Sequence, residues 1–294
     1  MRQSTVDMLV SVGLDVDEVH DIVLRALAED LGPDGVDVTS AATIPADQTD
    51  TAELVARADG VVAGLPVAAA VFDVASAGTV EIGLSTKDGE RVARGDVLAT
   101  VAGPTRALLT AERTALNLLC RMSGVATHTR RWADLLEGSR ATVLDTRKTT
   151  PGLRILDKYA VRAGGGANKR MGLYDVAMIK DNHKLAAGSI TAAYQRVREA
   201  FPEVPVQVEV TTVAEAVEAV DAGADFLLLD NMAPDELRAA VALVGDLDVE
   251  LEATGGLTLA VAREVADTGV DYLSVGGLTH SSPILDLALD LRAG

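Results

Sequence analysis

The sequence predicts an α/β protein in two parts. Residues 1–124 read as an α+β domain with an antiparallel sheet, and residues 125–281 as an irregular, incomplete α/β barrel of about six parallel strands. Three observations lead there. Short strand-like segments with one interposed helix fill the first third of the chain. After Ser123-Gly124 the rhythm changes to strand, helix, strand, helix, which builds parallel sheets. Each later strand ends in a residue capable of chemistry, as in barrels whose sites lie at the C-terminal strand ends. Residues 282–294 read as a C-terminal helix returning to the N-terminal domain.

Taken in order, Asp17 to Leu31 reads as a helix. Asp17 serves as N-cap, Val19, Ile22, Val23, Leu27 and Leu31 line one face, and Gly32-Pro33 ends it. Ala52–Ala58, Thr79–Leu84 and Val97–Val101 have strand character, with turn signals at Asp59-Gly60 and Asp88-Gly89 and a helix from Pro66 to Ser76. Thr105 to Cys120 is helical by the spacing of Leu108, Leu109, Leu116 and Leu119, and Ser123-Gly124 marks a seam. Arg113 lies in this helix, and its local context reads as solvent-facing.

In the second part the strands are Thr142–Asp145, Val176–Lys180, Val206–Glu209, Phe226–Asp230, Val249–Ala253 and Tyr272–Val275. These are near-continuous apolar runs, the pattern of strands buried on both faces. Leu153–Ala163, Thr191–Ala200, Val213–Ala222, Pro234–Val244 and Leu259–Thr268 read as the helices between them.

Composition narrows the function. A net charge of -18 argues against a broad phosphate-backbone surface, and 3% aromatics argue against a base-stacking platform. No nucleic-acid partner is expected. Cys120 is the one cysteine and sits among leucines, so no internal disulfide forms and a reducing, cytoplasmic setting is expected. The longest apolar run, Val61 to Phe72, is broken by Gly64 and Pro66 and is too short to span a bilayer, so no membrane partner is expected.

Against that acidic background, Asp145 to Lys184 carries nine Lys or Arg (147, 148, 154, 158, 162, 169, 170, 180, 184) and four Asp (145, 157, 175, 181). A local cation excess in an acidic chain suits an anion site, or else an exposed basic face. Arg147 and Lys148 follow one apolar strand and Lys180 follows another, which favours the site. The strand-end glycine pairs Gly255-Gly256 and Gly276-Gly277 sit where barrels hold a phosphate on backbone amides, although either alone could be a tight turn. Glu209 and Asp230 end neighbouring strands. Among such cations they could hold a divalent metal, contact a sugar, stabilise a developing cation, or pair with Lys148 and Lys180. His183 and His280 lack metal-ligand spacing to another His or Cys, which argues against zinc.

The same stretches carry a family resemblance. Asp145-Thr146-Arg147-Lys148-Thr149, Gly164-Gly165-Gly166, Ile179-Lys180-Asp181-Asn182-His183 and Leu229-Asp230-Asn231 match it, as do Glu252-Ala253-Thr254-Gly255-Gly256 and Ser274-Val275-Gly276-Gly277-Leu278-Thr279-His280-Ser281. Together with Glu29-Asp30-Leu31-Gly32 and Leu109-Thr110-Ala111-Glu112-Arg113-Thr114, the chain resembles the nicotinate-nucleotide pyrophosphorylase (carboxylating), or quinolinate phosphoribosyltransferase, family of type II phosphoribosyltransferases. The resemblance implies transfer of phosphoribose from phosphoribosyl pyrophosphate to quinolinate with Mg²⁺, giving nicotinate mononucleotide, pyrophosphate and CO₂ in NAD biosynthesis. It implies a homodimer whose sites are shared between subunits. Arg147, Arg170 and Lys180 would bind the quinolinate carboxylates, with Arg113 reaching in from the partner subunit. Lys148, Glu209 and Asp230 would serve catalysis at the ribose and pyrophosphate, the carboxylates near Mg²⁺. Gly255, Gly256, Gly276 and Gly277 would hold the 5′-phosphate, and Thr146, Lys169 and Thr254 complete the substrate-binding set.

The chain departs from the family pattern at Lys169, where His is usual, and more mildly at Thr254 and Gly277, where Ser and Ala are usual. A Lys keeps positive charge but not the imidazole geometry or its titration near neutral pH. Three other readings stand beside this one: a paralogue acting on another heteroaromatic carboxylate, a Schiff-base barrel lyase at Lys180, and a sensor that binds phosphorylated metabolites without turnover.

Overall fold

The structure is a computed structural model that describes residues 1–245 and 247–292. In chain order it begins α1 (Gln3–Ser11), α2 (Val16–Leu31), α3 (Val38–Thr43), β1 (Thr49–Ala56), β2 (Gly60–Val61), α4 (Leu65–Ala75) and β3 (Glu81–Leu84). Next come β4 (Arg91–Val92), β5 (Val97–Pro104), α5 (Thr105–Leu136), β6 (Thr142–Leu144), α6 (Arg154–Ala163), β7 (Ala177–Ile179), α7 (Asp181–Ala187) and α8 (Ile190–Ala200). The rest are β8 (Val206–Val210), α9 (Val213–Asp221), β9 (Phe226–Asp230), α10 (Pro234–Val244), β10 (Glu250–Thr254), α11 (Ala262–Ala266), β11 (Tyr272–Ser274), α12 (Gly277–His280) and β12 (Leu287–Leu291).

Two compact units form. The first holds Met1–His128, Thr150–Gly165 and the chain from Ser281 onward. Its main sheet is antiparallel in the order β12-β1-β5-β3. Helix α4 is buried along Leu65 to Asp73, consistent with its apolar sequence all round. Its first turn is satisfied by Asp88, which accepts from the Gly64 and Leu65 N–H groups at 2.7 and 3.1 Å and from the Tyr159 hydroxyl at 2.6 Å. In α2 the N-cap is Asp15, accepting from Glu18 N–H, and not Asp17, which lies in the first turn.

Three other sequence expectations are corrected here. Ser123-Gly124 does not end a helix, because α5 runs unbroken from Thr105 to Leu136. A Cβ on Gly124 would lie 2.1 Å from the Pro283 carbonyl oxygen, so this glycine allows a close backbone approach. Ser123 is spent on Ala63, accepting from its N–H at 3.0 Å and donating to its C=O at 3.2 Å. The expected C-terminal helix is instead strand β12, antiparallel to β1 from Ala52↔Leu291 to Ala56↔Leu287. Pairing there gives the outer edge of β1 a ladder that a helix could not supply. The expected helix Leu259–Thr268 shrinks to the five residues of α11.

The second unit holds Thr129–Thr149 and Gly166–His280. Its six strands are parallel in the order β6-β11-β10-β9-β8-β7, as the irregular, incomplete barrel predicts. Among the described residues β6 and β7 are the two ends of the sheet, and β6 gains only a bridge, Leu144↔Ala167. On β9, Leu227 and Leu229 turn to one face and are fully buried. Leu228 and Asp230 turn to the other, and registers Glu252↔Leu228 and Glu209↔Leu228 place Glu252 and Glu209 on that same face.

Candidate active site

Parallel strands bring all their C-terminal ends to one rim, and in the second unit a cavity of about 380 Å³ lies there. Thr146, Arg147 and Lys148 follow β6, and Met178 and Lys180 come from β7 and its end. Glu209 comes from β8, Leu228 and Asp230 from β9, Thr254 and Gly255 from β10, and Ser274 from β11. Lys169 and Arg170 enter from the loop before β7. Residues from every strand wall one cavity, so the sheet curls around it.

The loop that brings in the cations is tied down from within. Asp145, fully buried at the end of β6, accepts from Asn168 Nδ2 at 2.6 Å and from the Lys169 N–H at 2.9 Å. Asp175 accepts from the N–H groups of Met171 and Gly172 at 2.6 and 3.0 Å. Arg170 donates through Nη1 to the Val176 carbonyl at 3.0 Å. Burial and the neighbouring Arg147 both push the Arg170 pKa down, with Asp175 partly offsetting them. The Arg147 Nε is buried and finds no acceptor among the described residues. Two guanidiniums on one cavity wall, one with an unused donor, form a site that a bound anion would satisfy.

Of the other three wall cations, Lys180 and Lys169 have carboxylate partners. Lys180 Nζ pairs with Glu209 Oε2. Its backbone N–H donates to His183 Nδ1 at 2.9 Å, so that histidine caps α7. Lys169 Nζ donates to Glu252 Oε1 at 2.5 Å, with side chains 7% and 0% exposed. Burial lowers the Lys169 pKa, Glu252 acts to raise it, and Lys180 and Arg170 lower it further.

The turn after β10 needs its glycine. Asn231 is left-handed at φ 53, donates its N–H to the Thr254 carbonyl at 2.9 Å and gives Nδ2 to Asp230 at 2.9 Å. Gly255 faces it at φ +91, and a Cβ there would sit 2.4 Å from Asn231 Oδ1. Lys148 is exposed, and its carbonyl accepts from the Thr279 hydroxyl at 2.8 Å.

Four sequence candidates do not wall the cavity: Gly256, Gly276, Gly277 and Arg113. Gly276 packs against Lys148, whose Cδ would be 2.9 Å from an added Cβ, and Gly277 opens α12. Arg113 belongs to the first unit, 64% exposed, with Glu112 at 3.9 Å.

Comparison with known proteins matches this arrangement to one family along most of the chain. The model of the quinolinate phosphoribosyl transferase N-terminal domain matches residues 37–123, and that of its C-terminal domain matches residues 125–290. The chain belongs to the quinolinate phosphoribosyl transferase family. It is 47% identical to the nicotinate-nucleotide pyrophosphorylase [carboxylating] of Mycobacterium leprae, over 94% of this chain and 98% of that one. It is 44% identical to the probable enzyme of that name from Bacillus subtilis, over 90% of each chain. The solved structure of the nicotinate-nucleotide pyrophosphorylase from Francisella tularensis superposes with a TM-score of 0.90 at 34% identity, covering 95% of this chain and 98% of that one.

Within this quinolinate phosphoribosyl transferase, the cavity carboxylates also bear on metal binding. Among the described residues no three His, Cys, Asp or Glu side chains gather as a metal centre. Glu209 and Asp230 fit a smaller task, since Mg²⁺ is commonly held by one or two carboxylates with waters and substrate phosphates supplying the rest. Sequence reasoning on the site gave no role to Asp145, Glu252, Met178, Leu228 or Ser274. A usable signal existed for Glu252, a carboxylate within a buried strand that must have a partner.

Proposed function

We infer that this chain transfers phosphoribose from phosphoribosyl pyrophosphate to quinolinate with loss of CO₂, yielding nicotinate mononucleotide and pyrophosphate for de novo NAD biosynthesis. The observation that carries this is one wall holding Arg147, Lys169, Arg170 and Lys180 beside the carboxylates Glu209 and Asp230. The guanidiniums suit the two ring carboxylates of the acceptor, with Lys169 and Lys180 alongside. Glu209 and Asp230 suit the ribose, whose C1 becomes cation-like as its bond to pyrophosphate breaks and the ring nitrogen approaches. Lys148 faces the leaving pyrophosphate. Thr146, Thr254, Gly255, Gly256, Gly276 and Gly277 offer backbone and hydroxyl donors to the phosphates.

Mg²⁺ held by Glu209 and Asp230 would supply charge neutralisation to the pyrophosphate. We further propose that two copies form a homodimer in which Arg113 of one serves the acceptor site of the other, and that the protein works in the cytoplasm. No helix among the described residues is long and apolar enough to cross a membrane. The Schiff-base reading loses ground because Lys180 is engaged by Glu209. The direct test is release of CO₂ and pyrophosphate from quinolinate and phosphoribosyl pyrophosphate with Mg²⁺. Turnover is expected with quinolinate and not with the monocarboxylate nicotinate, and absence of both products would sink the assignment.

A further inference from the structure

The acceptor wall shows an uneven distribution of charge. Lys180 is compensated by Glu209 and Lys169 by Glu252, whereas Arg147 and Arg170 line the same cavity without an ion-pair partner among the described residues. Setting the two ion pairs aside, the wall keeps the exposed Lys148 and two guanidiniums, Arg147 and Arg170, neither of them in an ion pair among the described residues, and two guanidiniums match an acid carrying two carboxylates. Glu252 is therefore part of the charge balance although it does not wall the cavity. It is fully buried on β10, two residues before Thr254 and on the same face as Leu228. Its Oε1 takes the Lys169 ammonium at 2.5 Å, and its Oε2 is buried without a hydrogen-bond partner among the described residues. Lys169 is thus held twice, at its main chain by Asp145 and at its ammonium by Glu252.

We propose that Glu252 is a positioning residue for the transfer reaction: it fixes Lys169 as a charged donor on the acceptor wall, beside two guanidiniums that stand outside any ion pair and can take a dicarboxylate. The proposal rests on the acceptor reading of the cavity. That reading fails separately, if the unmodified protein does not turn over quinolinate. The charged groups acting on the Lys169 ammonium are Glu252 from β10, Lys180 after β7 and Arg170 beside it, while Asp145 at the end of β6 holds its backbone N–H. Without the Glu252 charge, the remaining cations and burial act to strip the proton from Lys169.

The test compares Glu252→Gln, Lys169→Gln and the double variant in the Mg²⁺-loaded protein, with folding followed by thermal melting. Glu252→Gln is expected to raise KM for quinolinate at least tenfold while KM for phosphoribosyl pyrophosphate changes less than threefold. Its kcat/KM for quinolinate should also fall off at lower pH on the alkaline side than that of the parent. Should Glu252→Gln not fold, the double variant decides, since it leaves no unpaired charge buried. It should fold and show the raised quinolinate KM of Lys169→Gln, again with the other substrate little affected. Unchanged quinolinate KM and alkaline limb, or an equal loss for both substrates that follows a lowered melting temperature, would overturn the proposal.

Discussion

Arg147 and Arg170 wall one cavity, the charge of Arg147 acts to lower the Arg170 pKa, and among the described residues no acceptor takes the Arg147 Nε. A dianionic acceptor removes both costs at once. Arg147→Ala and Arg170→Ala should each remove a charge-assisted contact of about 1.5–3 kcal/mol, roughly a 10- to 150-fold loss in kcat/KM for quinolinate. Steady-state kinetics check this, and near-normal constants in either variant would remove that residue from the acceptor site.

Glu209 and Asp230 act in the proposal on charge that appears as the ribose bond breaks. Glu209→Gln and Asp230→Asn are therefore expected to lower kcat more than they weaken quinolinate binding. Turnover measured beside equilibrium binding separates the two effects. If kcat held steady and only quinolinate affinity fell, the transition-state role would be lost.

Gly255→Ala meets two obstacles, a positive φ and the Asn231 side chain 2.4 Å from the new carbon. The cost should be about 1–3 kcal/mol, taken as a lower melting temperature or as a displaced turn. Because this turn is assigned to a phosphate, KM for phosphoribosyl pyrophosphate should rise more than KM for quinolinate. The reverse order would move the phosphate away from the turn.

The shared site is tested by mixing. Arg113→Ala and Arg170→Ala subunits, each expected to lose most of its activity alone, are refolded together or co-expressed. In a two-fold dimer with shared sites, a mixed dimer carries one site with both residues intact. About half the dimers are mixed, so roughly a quarter of the parental activity should return. Verified mixed dimers with no regained activity would show that Arg113 does not complete its partner's site.

Much of the second unit could be read from the sequence because its strands are apolar runs and its helices carry their own punctuation. Phe226–Asp230 and Pro234–Val244 agree at both ends with the structure. The C-terminal strand was harder. Leu285, Leu287, Leu289 and Leu291 alternate as a strand does, but leucine, alanine and aspartate around them suit a helix equally, and the deciding partner β1 lies far back in the chain. Gly124 misled for a similar reason, since its role comes from the Pro283 carbonyl and not from its neighbours. In the site, residues at strand ends could be picked out one at a time. The Lys169–Glu252 pair could not, because its members are 83 positions apart and meet only once the strands are in register.

The pairing of β12 with β1 also sets an order on the birth of the molecule. Arg57 and Asp290, which pair beside this ladder, are 233 positions apart. A ribosome making the chain therefore releases β1, β3 and β5 long before the strand that completes their sheet. Until then β1 presents an open edge, available to a neighbouring nascent chain or a chaperone. All of the second unit is synthesised in that interval, so it can fold first, and the N-terminal sheet closes last although most of it is made first.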